Sequence, residues 1–509
     1  MSAISGSGGA PAAHPNTPVP HTGEPPAHSG EPPAPGGTVL SSAAIGVSDL
    51  VFFVVAAAAP LTAVAGVAPA AMAMGGLATP LGYVLSGGLL ALFAAGFTAM
   101  SLHVRNAGAF YAYVARGLGK ATGIGTAYVA VLSYNLVEIG LVACFGFFAS
   151  SGVKDLTGFG APWWLWSAVC VAVVGVLGWL RVTLSAKVLG LALVLEVLVL
   201  LILEGGVLNH RGTAALDPAV LNPTSLGGAG VAGMFVLAIG AFTGFEATAI
   251  YAEEAREPKR TVPRATFIAV GFLAVFYAFA VWVVMGAFGA EDAVRVARGG
   301  NGPDMVFSAA GRFVGPWLSD SMHLLIITSA LAATLAFHNA AARYMYALGR
   351  EGLLPRPLAR VSPRSGSPGT AVVVQSLLAA AFIAAGALSD ADPYAVVFLW
   401  PNGTGVLGIM AMQALAALAV YGFFRRDRRG VSSFRAQWAP LLSFLGLCVL
   451  TVLAALRFDL LTGASGAVNI GLLVPLPVVF CIGLIVARYI RRTDPRRYAQ
   501  LTTVDVERD

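Results

Sequence analysis

Charged side chains are scarce in this chain. Asp, Glu, Lys and Arg make up only 11% of its 509 residues, against about 25% in soluble domains. A water-soluble protein of this length could not cover its surface with so few charges. Cytosolic metabolism and nucleic-acid binding are therefore excluded as primary roles. Cysteine is equally sparse: Cys144, Cys170, Cys448 and Cys481 all lie in apolar stretches with no CxxC spacing. Neither a disulfide framework nor a zinc site is indicated. Also missing are HExxH, GxSxG and a Gly-rich loop before Lys, the patterns a hydrolase or nucleotide-driven machine would need. No filter-like segment or charged ring points to a channel. What remains is apolar. Hydrophobic residues make up 57% of the chain and mean hydropathy is +0.78, enough for roughly a dozen spans of ~20 residues. The sequence describes an all-α polytopic membrane protein.

Residues 1–40 are mostly Pro, Gly, Ala, Ser and His, with no Lys or Arg. Such a composition cannot bury a core, and a secretory signal would need a basic start and a short apolar run. The expectation is a disordered cytoplasmic tail. Twelve apolar segments follow, at 50–74, 81–104, 123–153, 163–180, 188–208, 231–252, 265–288, 318–348, 371–388, 394–423, 439–456 and 468–490. With the N-terminus inside, 25 of the 31 Lys and Arg residues fall on the cytoplasmic side. That bias supports twelve spans with both termini inside. The net charge of +6 is then an orientation signal rather than the mark of an acidic partner. Ten helices over 41–423 form the expected core, helices 11 and 12 over 424–490 are peripheral, and 491–509 is a second cytoplasmic tail.

Two spans are unlike ordinary lipid-facing helices. Segment one carries Ala59-Pro60-Leu61-Thr62 and, further on, Gly66 and Pro69. Segment six carries Gly240, Gly244 and the carboxylate of Glu246. Each proline removes a helical hydrogen bond, and irregular backbone at membrane depth is tolerated only inside protein or along a cavity. Interrupted helices at corresponding places in two halves point to an inverted-repeat transporter and its binding site.

Several longer motifs carry a family likeness. The stretch from Thr243-Gly244-Phe245-Glu246 through Glu253-Glu254-Ala255-Arg256-Glu257-Pro258 to Ala265 resembles the sixth-helix signature of the amino acid–polyamine–organocation (APC) superfamily of permeases. Asn339-Ala340-Ala341-Ala342-Arg343 with Ala347-Leu348-Gly349-Arg350-Glu351-Gly352 resembles its eighth helix and following loop. Asn106-Ala107-Gly108-Ala109-Phe110-Tyr111 after helix two and Ala59-Pro60-Leu61-Thr62 in helix one agree.

The resemblance implies the leucine-transporter fold, a five-plus-five inverted repeat with two extra C-terminal helices. It also implies a secondary transporter of an amino acid or small amine, working by alternating access in the cell membrane. The alternatives, a membrane-embedded enzyme or a channel, lack their motifs. No cofactor, metal or nucleic acid is expected. The partners are a small-molecule substrate, the lipid bilayer and a co-transported proton. Helix N-termini present free N–H groups to anions, so the substrate carboxylate is expected near Ala65, Gly66 and Val67. Its ammonium would meet carbonyls near Thr62, Ala63, Ala241 and Phe242, with Thr243, Gly244 and Phe245 completing the site. Phe242 and Phe245 flank the break as gate candidates. Gly240, where some members carry a bulky aromatic, suggests a roomier pocket.

Charged groups within spans are functional candidates by default. Glu246 either satisfies its half-helix's N–H groups or titrates with transport. Glu196 stands where some members carry a lysine whose ammonium replaces a sodium ion; here it is a coupling candidate or a bundle-facing carboxyl held by a partner. Glu138 is a bundle-facing polar residue without a motif match, and His323 and His338 read as structural histidines. At the inner gate, Glu253 and Glu254 are candidates to pair with Arg343 and Arg350.

Overall fold

The computed structural model describes residues 46–104, 110–180, 186–246, 248, 256–363 and 365–501. Every regular element among them is helical, as bilayer-spanning backbone requires when lipid offers it no hydrogen-bond partner. In chain order the first helices are α1 (Val47–Ala57), α2 (Ala68–Gly75), α3 (Thr79–Ser101), α4 (Phe110–Leu118), α5 (Lys120–Thr157), α6 (Trp163–Trp179), α7 (Ala186–Arg211) and α8 (Val231–Ala241). There follow α9 (Pro258–Phe288), α10 (Ala290–Arg298), α11 (Met305–Phe313), α12 (Pro316–Arg350), α13 (Gly369–Leu388) and α14 (Leu399–Arg426). The chain continues through α15 (Ala439–Leu456), α16 (Asp459–Thr462), α17 (Gly466–Leu473), α18 (Pro475–Thr493) and α19 (Pro495–Gln500). A π-helical turn, Thr62–Val67, leads into α2, and another, Pro393–Phe398, leads into α14. Many of these helices carry proline in their first turn, where its missing N–H has no intrahelical partner to lose.

Among the described residues, nine helical runs are long and apolar enough to cross a membrane, and Trp163–Trp179 and Val231–Ala241 are shorter apolar helices. Burial sorts these runs into inner and outer ones. The apolar windows of Val47–Ser101 and Lys120–Thr157 are 78% and 72% buried, whereas those of Phe434–Leu456 and Gly466–Thr493 are 28% and 11% buried. Helix α5 is central, packing against α12, α14 and α18. Exposed aliphatics such as Leu191, Val275, Leu377, Val449 and Ile485 form the outward surface that a bilayer covers.

The C-terminal helix α19 is pinned at both ends. Arg497 donates from Nη2 to the carbonyls of Glu351 (3.1 Å) and Gly352 (2.8 Å), just past the end of α12. Lys120 at the start of α5 donates to the carbonyls of Tyr498 (3.1 Å) and Ala499. A cationic side chain thus meets carbonyls at or just past the C-terminal end of a helix. Between α12 and α19 lies a recess of about 480 Å³, lined in part by Arg350, Glu351, Arg356 and Arg497.

Candidate functional site

The first break follows directly from the run Ala56–Pro60. Pro60 disfavours the α conformation for the residue before it, and Ala59 takes a left-handed φ of 46°. For a residue with a Cβ this costs about 1–2 kcal/mol. Helix α1 therefore stops at Ala57 and the chain resumes helically from Pro60. The groups released at this break find buried partners. The Ala58 carbonyl accepts from the Tyr277 hydroxyl at 3.2 Å. The Leu61 N–H, at the start of the second half-helix, donates to Glu196 Oε2 at 3.2 Å. The same carboxylate oxygen accepts from the Ser329 hydroxyl at 2.8 Å, and Thr62 Oγ1 donates to Ser329 Oγ at 3.0 Å. Glu196 thus joins three elements: the helix-one break, α7 and α12. A carboxylate at a helix N-terminus is favoured by the exposed N–H groups and the positive end of the dipole.

The second break is built in the same way. Helix α8 ends at Ala241 and the chain turns through Phe242–Glu246. Gly244 has φ 115°, a conformation essentially closed to other residues. Its N–H donates to Glu246 Oε2 at 2.9 Å, while Tyr134 of α5 donates from its hydroxyl to Glu246 Oε1 at 2.7 Å. The Tyr134 ring stacks on Tyr344 of α12 with centroids 5.1 Å apart. The two breaks are neighbours: a Cβ at Gly244 would lie 3.2 Å from Ala57 Cβ. Each break is held by one buried carboxylate that accepts a backbone N–H of the break and a hydroxyl from an adjacent helix.

Against this geometry, the sequence expectation for helix one is displaced. The N–H groups of Ala65, Gly66 and Val67 do not start a half-helix. They lie in or beside the π-turn, where the next N–H, of Ala68, is bonded to the Ala63 carbonyl. Pro60, not Gly66, sets the break, so the half-helix begins at Pro60–Leu61. Ala63, Ala65 and Val67 are buried. The Gly66 carbonyl accepts from Tyr394 Oη at 2.8 Å, and a Cβ at Gly66 would stand 3.4 Å from the Phe148 ring. Phe242 and Phe245 are fully buried. Phe242 lies edge-on to Tyr277 at 5.8 Å, and Phe245 edge-on to Phe93 at 6.0 Å. Ala241 ends α8, and Thr243 is buried beside the break, its hydroxyl without a partner among the described residues. The space expected from Gly240 is taken up: Val406 of α14 would stand 3.0 Å from a Cβ there. Glu253 and Glu254 lie outside the described residues, as do Asn106–Ala109. Arg343 is exposed, and the Arg350 guanidinium lies over the Tyr346 ring at 5.8 Å.

The profile of the amino acid permease family matches residues 49–498, a span that includes both breaks and both carboxylates. The chain belongs to the amino acid permease family. It is a membrane transporter and not an enzyme. Uncharacterized transporters of Mycobacterium bovis and Mycobacterium tuberculosis are each 30% identical to it over 332 residues, covering 64% of this chain and 68% of theirs. The aromatic amino acid transport protein AroP of Escherichia coli K12 is 22% identical over 392 residues, covering 75% and 82%.

The permease also contains buried polar residues that sequence reasoning left without partners or passed over. Glu138, without a partner in the sequence reading, accepts from Gln375 Nε2 at 2.7 Å, and His338 Nδ1 lies 3.1 Å from its other oxygen. This trio joins α5, α12 and α13 and is essentially solvent-free. The contacts span 200 and 237 residues of sequence, so no local pattern could pair them. Glu138→Leu strands two donors in the core, at about 1–3 kcal/mol for each unsatisfied group. The expected result is a lowered thermal unfolding midpoint in detergent, with Glu138→Gln milder. An unchanged midpoint for the leucine variant would count against a structural role. Glu204 of α7 and Ser329 were passed over altogether. Glu204's signal was a carboxylate within an apolar span, whereas Ser329 had none.

Proposed function

We propose that this permease moves an amino acid or small amine by alternating access at the two helix breaks, with a proton carried by Glu196. The reading rests on one observation above all. The N–H at the start of the second half of helix one, where a substrate carboxylate would be received, is held by the permease's own carboxylate. Two anions at one helix N-terminus repel each other. Protonating Glu196 removes its charge, loosens its hold on Leu61 and Ser329, and favours a substrate carboxylate beside it. By linkage the substrate then favours the proton equally. The substrate ammonium would meet carbonyls of the breaks around Thr62, Ala63 and Ala241. Thr243, Gly244 and the flanking Phe242 and Phe245 complete the wall, and Glu246 is a second coupling candidate.

Twelve spans in a five-plus-five repeat with two further helices, and both termini cytoplasmic, accompany this reading. The run Val47–Ser101 has 55 residues, about 80 Å if straight against a hydrocarbon core of ~30 Å, so it supplies two spans. The two shorter apolar helices supply two more. The cytoplasmic bias of Lys and Arg supports the orientation. The contacts assigned to the inner gate, Glu253 and Glu254 with Arg343 and Arg350, belong to the same proposal.

The test is a thermal-shift screen of purified permease against amino acids, amines and simple carboxylates. A ligand at 100 times its dissociation constant stabilises by about 2.7 kcal/mol. Amino acids are expected to raise the midpoint and to support counterflow in proteoliposomes. Stabilisation by amines alone would remove the carboxylate from the scheme, and silence across all three classes would sink it.

A further inference from the structure

Glu204 stands apart from the other buried carboxylates of this permease. Glu138, Glu196 and Glu246 each accept hydrogen bonds. Glu204 is 3% exposed, and neither of its oxygens has a hydrogen-bond partner among the described residues. An ionised carboxylate enclosed in this way loses its hydration and gains nothing, a penalty that a side chain escapes by taking up a proton. Its placement is also particular. Leu193, Glu196, Leu200, Leu203, Glu204 and Val207 lie on the buried side of α7. Glu204 follows Glu196 by eight residues, about 12 Å along the axis and on the same broad face.

We propose that Glu204 is a second proton-binding site, a carboxyl in series with Glu196 that takes its proton from the outer side. The proposal rests on the reading of Glu196 as the coupling carboxyl. In the proposed cycle Glu204 starts as a neutral acid. When water enters along α7, its O–H bond breaks and the proton passes through that water to Glu196. Glu204 is left as a carboxylate, which the next proton from the outer solution neutralises. No electrons move and the chain is unchanged after each cycle. The separation is too great for a direct hop, so transfer waits on the motion that admits water.

The surroundings suit a proton rather than an ion pair. Helix α7 packs against α1, α9, α11 and α12. The titratable groups near its outer half are His210 and Arg211 of α7, Arg312 of α11, Asp304 before it, Asp320 and His323 of α12, and Tyr277 of α9. None hydrogen-bonds Glu204. His210 Nδ1 faces the Gly206 carbonyl, Arg211 donates to the Ala287 carbonyl, and Arg312 lies over the Phe313 ring. His323 stacks on Phe307, and Tyr277 donates to the Ala58 carbonyl. Asp49 of α1, Lys259, Arg260 and Arg264 of α9, and His338, Arg343 and Arg350 of α12 lie toward the far ends or middle of their helices.

The experiment uses full-length permease in proteoliposomes with a pH dye inside and an equimolar mixture of the standard amino acids outside. Glu204→Gln is expected to slow amino-acid-driven proton uptake at least tenfold while counterflow of the same mixture stays within twofold of wild type. Glu204→Asp should restore part of the proton uptake. Infrared titration of the purified protein should show a protonated-carboxyl band in wild type that Glu204→Gln removes. Proton uptake by Glu204→Gln within twofold of wild type, with Glu196→Gln defective, overturns the proposal and leaves the role of Glu196 standing. A wild-type spectrum without that band also overturns it, as does parallel loss of counterflow that aspartate does not rescue. No proton uptake by wild type overturns the coupling reading and Glu204 with it.

Discussion

Glu196→Gln is expected to abolish the dependence of amino acid uptake on a pH gradient, cutting gradient-driven accumulation at least tenfold, while counterflow persists. Glutamine keeps the size and one acceptor oxygen for Leu61 N–H and Ser329 Oγ, now 3.2 and 2.8 Å from the carboxylate. It removes the charge and the titration and turns the other oxygen into an amide donor. Glu196→Leu goes further. It strands the Leu61 N–H and the Ser329 hydroxyl in a buried site, at about 1–3 kcal/mol for each unsatisfied group. The leucine variant should therefore lose counterflow as well. Initial uptake rates at fixed membrane potential, with and without an imposed pH difference, provide the measurement. A glutamine variant that responds to pH like wild type would end the case for Glu196.

The second large effect is expected at Gly244. Valine there must adopt φ near 115° and place its Cβ 3.2 Å from that of Ala57. Backbone strain of this kind costs about 1–3 kcal/mol, and overpacking adds about 1–3 kcal/mol. The turn would distort, and with it the N–H that Glu246 accepts. Counterflow by Gly244→Val should fall below a tenth of wild type, with a lower unfolding midpoint. Gly244→Ala should lie between the two. Valine that transports normally would mean that the turn at helix six is not the working part.

The broken character of both helices was legible because Pro60 and Gly244 act through local backbone physics that a sequence displays directly. The exact N-terminus in helix one was not, because Gly66 and Pro69 looked equally disruptive. The chain absorbs Gly66 in a π-turn, where it serves close packing against Phe148, and Pro69 in the first turn of α2. Glu196 and Glu246 were legible as anomalies of charge in apolar spans. Their partners were not: Ser329 is 133 residues from Glu196 and Tyr134 is 112 from Glu246. A single sequence records which groups need satisfying, while the fold decides what satisfies them. The space expected at Gly240 failed for the same reason, since Val406 reaches it from α14.

The pinning of α19 bears on how the permease is made. The Glu351 and Gly352 carbonyls beyond α12 wait for Arg497, which follows by about 146 residues. At a synthesis rate of about 5–20 residues per second, the ribosome needs on the order of ten seconds or more to deliver that arginine. The Lys120 ammonium waits longer still for Tyr498 and Ala499. The clasp joining α5, α12 and α19 is thus closed only after every helix from α5 to α18 has been made.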